Sequence, residues 1–321
     1  MNRKRIPLFV GLFLAALVGC SQSDPTQFRP LVFVFQKQKN PDQIQAAATR
    51  MASYLRQKLG TTVKTFVPTS YSASVQALIS KQADIAYVSA IPFMLAKRDA
   101  GVELLLAEQR IDVHGVARTD YDSVFVVHKD SPLQSMDDLA SQASQLRMAF
   151  TSPQSTSGYV MANWRLIKEG VLKPSQNPQN AFAAATFAGS YTQALQQVLD
   201  QRADVCAVSY YTVEGPSAKK YVTQQELKSL RVLARTPGVP THLICVRHEL
   251  DATLKARIKK ALLDLNHEHP SLLEDVYGAK QLVEVDSEQH LAKAVEAAGF
   301  LQHLGITIDR LVDKTKIKKH S

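Results

Sequence analysis

Three consecutive hydroxyls followed by a glycine, Ser155-Thr156-Ser157-Gly158, are the residues of this sequence with the plainest chemical use. They lie between a predicted strand over residues 147–150 and a helical pattern over 158–169. A helix start carries N–H groups with no preceding turn to bond and the positive end of the backbone dipole. Hydroxyls there can gather round an anion, and glycine lets backbone approach closely. The same residues also suit an ordinary Ser/Thr helix cap, and the sequence leaves both uses open. No lysine follows to complete a phosphate loop, so nucleotide hydrolysis is not implied. Elsewhere the chemistry is thin. His267-Glu268-His269 precedes Pro270 and reads as a solvated helix end rather than a metal site. No Ser/His/Asp ordering, paired acids or GxSxG elbow is present, so the chain is not expected to be an enzyme. No cofactor is called for.

The elements that must hold such a turn alternate. Residues 31–35 form a short apolar strand, and Ile44, Ala48, Met51, Leu55 and Leu59 make one stripe of a helix that Gly60 stops. Further strands are predicted at 62–67, 83–88, 102–106, 124–127, 147–150, 183–187, 204–208 and 242–246. Helices are predicted at 72–79, from Pro92, at 136–139, 158–169, 191–199, 254–265 and 291–301. This rhythm implies an α/β fold with sheets covered by helices. Pro237-Gly-Val-Pro240 follows residues 230–235 and precedes the strand at 242–246. Two α/β units, the second inserted into the first, account for the order, and ligands favour the cleft between such units. Cys206 and Cys245 sit in apolar strand-like runs, read as buried free thiols with a disulfide as the alternative.

The first twenty residues read as an export signal. Arg3, Lys4 and Arg5 precede an apolar run, 6–18, too short to span a bilayer as a helix. It ends in Leu17-Val18-Gly19-Cys20, a bacterial lipobox in which the cysteine takes the lipid. The expected layout is a signal peptide at 1–19, a tether at 20–30, a first lobe at 31–119 with 236–321, and a second lobe at 120–235. The formal charge of +9 favours anionic ligands or surfaces. Export and the lack of a basic motif with interleaved aromatics argue against nucleic acid. The lysines at 314, 316, 318 and 319 read as a solvated tail.

In order along the chain come Tyr71-Ser-Ala-Ser-Val-Gln-Ala-Leu78, residues 83–93, Tyr121-Asp-Ser-Val-Phe-Val-Val-His128, Ser135-Met-Asp-Asp-Leu139 and Ser155-Thr-Ser-Gly158. Gly189-Ser-Tyr-Thr-Gln-Ala-Leu195, residues 203–208 and residues 240–247 follow. Together, over about residues 30–300, they resemble the phosphate/phosphite/phosphonate substrate-binding proteins of ABC transporters, which have the type 2 periplasmic-binding-protein fold. The resemblance implies two lobes, each a mixed sheet flanked by helices. Hinge strands near 117–123 and 234–239 would join them, and the lobes would close on an oxyanion. It makes Ser155, Thr156 and Ser157 the anion cradle and Tyr71 and Tyr121 further contacts. It also carries departures. Ser89-Ala90 and Phe93 stand where relatives often have Gly-Pro and then Tyr. Tyr191 stands for a histidine, and Ser209-Tyr210-Tyr211 for Asp-Ser-Tyr. Ser89, Tyr191, Ser209 and Tyr210 therefore join the expected ligand-binding set, and loss of the acid disfavours an aminophosphonate. The partners implied are a small oxyanion, the membrane through Cys20, and an ABC permease or, alternatively, a membrane sensor. The protein is expected to act as a monomer.

Overall fold

The computed structural model describes residues 29–173 and 176–303. The export signal, Cys20, most of the tether and the terminal lysines lie outside the described residues. Starting from Arg29, the chain runs β1 (Leu31–Phe35), α1 (Pro41–Leu59), β2 (Val63–Phe66), α2 (Tyr71–Ile79), β3 (Ile85–Val88), α3 (Ala90–Ala100), β4 (Glu103–Ile111) and β5 (Ala117–Arg118). It then crosses into β6 (Asp120–His128), α4 (Met136–Gln142), β7 (Arg147–Phe150), a π-helical turn (Thr156–Met161), α5 (Ala162–Lys168), β8 (Ala184–Phe187), α6 (Tyr191–Leu199) and β9 (Val205–Ser209). After α7 (Gln224–Leu227), the long β10 (Leu230–Pro240) leads back to β11 (Leu243–Val246), α8 (Ala252–Glu268), α9 (Pro270–Tyr277), β12 (Gln281–Val283) and α10 (Ser287–His303).

Local chemistry sets these bounds. The Asn40 side chain accepts from the Asp42 amide and Pro41 opens α1, while Gly60 closes it at φ 65°, donating to the Arg56 carbonyl. Side chains alternate through the first sheet. Phe33, Ile85, Tyr87 and Ile244 join a core under α1, α8 and α9, whereas Val34, Ala86, Val88 and Cys245 face the other way, into a core continuous with the second sheet. Both faces are therefore covered, as the near-continuous apolar strands require.

The first sheet has the order β12-β4-β11-β3-β1-β2, with β5 beside β4; the second is β10-β6-β9-β7-β8. β1 runs parallel to β2 and β3, and β7 parallel to β8 and β9. β11 and β6 enter antiparallel, so each sheet is mixed. Two segments join the sheets, one before β6 and one after β10, and they pair with each other: Val239 lies opposite Tyr121 and Pro240 opposite Asp120. This is the two-lobed type 2 binding-protein fold.

Pro237-Gly-Val-Pro240 is part of β10. The register with β6 slips between Thr236 and Val239, and Gly238 takes φ +85°. The strand thus absorbs the proline in a bulge, where its missing N–H costs no ladder bond. The helix expected at 158–169 begins earlier and as a π-turn: the Val160 amide bonds the Ser155 carbonyl at 3.0 Å. α9 and β12 had no counterpart in the sequence reading. Cys206 and Cys245 are buried free thiols in different sheets.

Candidate functional site

In both lobes the polar residues gather at the carboxyl ends of parallel strands, where open α/β sheets present ligands. In the first lobe, β1 leads to Gln36 and Gln38, β2 to Tyr71 at the start of α2, and β3 to Ser89 before α3. In the second, β7 leads to the Ser155–Ser157 turn, β8 to Tyr191 at the start of α6, and β9 ends on Ser209. Tyr121 comes in on the antiparallel β6.

Ser157 is the hub. Its Oγ lies 2.9 Å from the Tyr191 hydroxyl and 2.8 Å from Ser209 Oγ. The Ser123 hydroxyl donates to its carbonyl at 2.8 Å and fixes the turn to β6. The Tyr71 phenol sits beside Ser155 and Tyr191, and that of Tyr121 beside Ser209, Ser157 and Tyr191; neither hydroxyl completes a hydrogen bond. Burial first, then the neighbouring Tyr191 phenol, push both groups well above the ordinary tyrosine range. They therefore stay protonated, as donors. All seven of these hydroxyl-bearing side chains are buried.

The other two uses of the Ser155-Thr156-Ser157-Gly158 turn are visible as well. Ser155 Oγ accepts from the Gly158 amide at 3.0 Å, so it is a helix cap. Thr156 Oγ1 accepts from the Ile91 amide at 3.1 Å and so caps α3, which belongs to the other lobe. In each case the hydroxyl proton remains to be donated elsewhere. Gly158 permits a close approach to its own lobe: a Cβ there would lie 2.2 Å from Thr151 Oγ1 and 3.0 Å from the Ala207 carbonyl.

The lobes meet around this cluster. The first amide of α6, Tyr191 N, donates to the Gln38 carbonyl at 3.1 Å, and the Tyr211 hydroxyl donates to Gln38 Oε1 at 3.3 Å. Tyr211 also packs against Tyr121 and Tyr191, with ring centroids 5.2 and 6.2 Å apart, and carries the Arg110 guanidinium 3.8 Å over its ring. Behind it, Glu108 is bound by Arg110 Nε at 2.8 Å and the Tyr87 hydroxyl at 2.7 Å. Burial alone would raise this carboxyl, but Arg110 and His242 outweigh it and hold its pKa at about 2. The ionised pair is thus internally neutralised, and the residues gathered at the turn carry no formal charge of their own.

Two expected residues stand differently. Tyr210 does not join the cluster; it lines outer cavities of about 360 and 340 Å³, beside Arg110 and Glu214 on one side and Asp112 and Arg118 on the other. Its neighbour Tyr211, in the same short helical turn after β9, packs on Tyr121 and Tyr191 and also borders the first of these cavities. Ser89 stands one bond back, its hydroxyl donating to Gln36 Oε1 at 3.2 Å. Phe93 is buried apolar core. Gln36 and Gln38 carry no signal in the sequence, and Tyr211 is named there only beside Tyr210, outside the expected ligand-binding set; the tyrosine pair is resolved only in space. Among the described residues no His/Cys/Asp/Glu group could hold a metal ion, and no helix is long and apolar enough to cross a membrane.

Residues 33–290 match the family profile described as ABC transporter, phosphonate, periplasmic substrate-binding protein. The chain is 25% identical over 261 residues to the phosphonates-binding periplasmic protein of Escherichia coli (strain K12), covering 80% of this chain and 73% of that one. It is 22% identical over 277 residues to a probable ABC transporter phosphite-binding protein, PhnD1, of Prochlorococcus marinus (strain MIT 9301), covering 81% and 86%. Among solved structures, a binding-protein component of an ABC phosphonate transporter from Pseudomonas aeruginosa superposes with a TM-score of 0.72 at 20% identity, over 88% of this chain and 96% of that one. The Prochlorococcus PhnD1 in complex with methylphosphonate gives 0.71 at 20%, over 86% and 98%. The profile match spans most of the chain, and the chain belongs to the periplasmic substrate-binding proteins of ABC phosphonate transporters.

Proposed function

We propose that this protein captures a small phosphorus oxyanion between its lobes and delivers it to an ABC permease, without chemical turnover of the ligand. The observation that carries this is the meeting of hydroxyls from both lobes at one buried point: Tyr71 from the first lobe, and Tyr121, Tyr191, Ser155, Ser157 and Ser209 from the second. Hydroxyls in that arrangement replace the water shell of an oxyanion, and helix starts at Tyr71, Ser155 and Tyr191 add partial positive charge. A ligand held by both lobes stabilises the closed arrangement over the open one. The lobes are taken as residues 31–119 with 236–321 and residues 120–235, although β10 keeps its pairing with β6 as far as Pro240. No carboxylate joins the cluster, so an ammonium substituent would find no counter-charge. Phosphite and methylphosphonate suit the site better than aminoethylphosphonate. Cys20 would carry the lipid, with residues 20–30 as a tether at the membrane surface.

Calorimetric titration with phosphate, phosphite, methylphosphonate and aminoethylphosphonate tests the ligand. Binding of phosphite or methylphosphonate ahead of aminoethylphosphonate is expected; binding of none of the four sinks the phosphorus reading. Labelled palmitate incorporation in cells, abolished by Cys20→Ala, tests the anchor.

A further inference from the structure

The loop between β1 and α1 holds two side chains whose chemistry the hydroxyl cluster does not explain. Gln36 and Gln38 are both fully buried, yet the amide nitrogen Nε2 of each has no hydrogen-bond acceptor. Every other polar group of Gln36 is accounted for. Its backbone amide donates to the Tyr87 carbonyl at 3.1 Å, and its carbonyl accepts from the Tyr277 hydroxyl at 2.8 Å. Its Oε1 accepts from the Ser89 amide at 3.1 Å. That last bond fixes the orientation of the carboxamide, because a backbone N–H can only donate and so must face the oxygen. Nε2 is left as a donor with nothing to donate to. At Gln38 the carbonyl accepts from Tyr191 N and Oε1 accepts from the Tyr211 hydroxyl, which again leaves Nε2; a hydroxyl can bond either end of a carboxamide, so the partner that fixes the orientation outright belongs to Gln36 alone.

A buried NH₂ without an acceptor is destabilising, and two of them stand in this one short loop. A hydroxyl could relieve itself by turning its proton and accepting instead; an amide nitrogen cannot. Only an acceptor satisfies it. Gln38 bonds Tyr191 of the cluster directly, and Tyr211 beside it, whereas Gln36 reaches the second lobe through Ser89, two residues before the Ile91 amide that Thr156 caps. Both glutamines lie on the first lobe, which otherwise brings Tyr71 alone, while Ser155, Ser157, Ser209, Tyr121 and Tyr191 come from the second.

We propose that Gln36 and Gln38 are ligand-binding residues, donating through Nε2 to the oxyanion and supplying most of the first lobe's grip on it. Carboxamides suit this role because they donate without carrying a charge that an empty, open cleft would have to solvate or pair. Gln38 has a second part: the two bonds it accepts from Tyr191 and Tyr211 cross between the lobes, so ligand and closure are read by one side chain. This rests on the hydroxyl cluster being the oxyanion site, and the controls separate the two ideas.

The test is calorimetric titration of phosphite and methylphosphonate into wild type, Gln36→Met, Gln38→Met, Gln36→Glu, Gln38→Glu and Ser157→Ala, with ligand-free melting of each. The methionines keep length and burial but cannot donate; the glutamates keep shape but repel an anion. About tenfold or greater loss of affinity in the methionine variants, and a larger loss in the glutamates, is expected. A purely structural role would instead move the ligand-free melting temperature and leave affinity alone. If Gln36→Met and Gln38→Met bind within twofold of wild type while Ser157→Ala does not, the proposal falls and the site reading stands. If wild type binds neither anion, both fall. Should the variants not fold, side-chain amide spectra of ¹⁵N-glutamine-labelled wild type decide: movement of glutamine NH₂ pairs on adding phosphite supports the proposal, and no movement overturns it.

Discussion

Replacing Ser157 by alanine removes the hydroxyl on which the cluster turns, and its cost can be worked from the contacts. Ser157 Oγ stands 2.9 Å from the Tyr191 hydroxyl and 2.8 Å from Ser209 Oγ, and all three side chains are fully buried. Loss of one hydrogen bond to a charged ligand costs about 1.5–3 kcal/mol. At a factor of ten per 1.4 kcal/mol, affinity for methylphosphonate should fall roughly tenfold to 150-fold. Tyr191→Phe removes the other end of the same bond, so the double variant should lose less than the sum of the two, by about 0.5–3 kcal/mol. The assay is calorimetric titration of the four proteins of the cycle, with ligand-free melting as control for folding. Unchanged affinity in Ser157→Ala, or strict additivity with Tyr191→Phe, would refute the reasoning.

Gly158→Ala tests the packing beneath the turn. Its Cβ would sit 2.2 Å from Thr151 Oγ1, and Thr151 can swing away only by releasing the bond its hydroxyl donates to the Ala207 carbonyl at 3.0 Å. Overpacking plus that buried bond should cost about 2–4 kcal/mol, read as a lower denaturant midpoint; a midpoint like that of wild type would contradict the geometry. Glu108 should contribute to acid stability. Its pKa of about 2 lies below the ordinary 4.5, so its contribution is fully present above about pH 4.5 and is lost as pH falls towards 2. The gap amounts to about 3 kcal/mol. Glu108→Gln should be less stable at neutral pH yet lose less between pH 4.5 and 2; an unaltered pH slope would count against the assignment.

How far the sequence reaches depends on the kind of signal each element carries. Strands and helices with clear period, such as β7 and α6, are legible to the residue because apolar burial on a sheet or one helix face leaves a repeat in the chain. The Ser155–Gly158 turn is legible as a hydroxyl-rich helix start, although the sequence leaves its cap and anion uses open and Ser155 and Thr156 both cap helices. Tyr71, Tyr121, Tyr191 and Ser209 follow from the family resemblance, and the structure gathers them. Tyr210 and Tyr211 are indistinguishable in sequence, since only the rotation of one short turn decides which faces inward. Gln36 and Gln38 look like solvated loop residues because polarity alone says nothing of burial. The run of β10 through Pro237-Gly-Val-Pro240 is not legible because proline and glycine usually end strands, and the register slip that admits them needs β6 as a partner.

The pairing of the two crossing segments has a consequence for rates. Thr241 N donates to the Thr119 carbonyl at 3.0 Å, and the β6–β10 ladder continues to Asp120 and Pro240, so the crossings form one ribbon rather than two loose cords. Such a ribbon flexes across its face far more readily than in its plane, which leaves the lobes one swinging coordinate in place of several. On the proposed closing of the lobes over a ligand, opening speed would be set largely by the stiffness of this ribbon and grip strength by the side chains in the cleft. Substitutions at the bulge around Pro237 and Gly238 could therefore alter how quickly a ligand is surrendered while leaving unchanged which ligand is preferred.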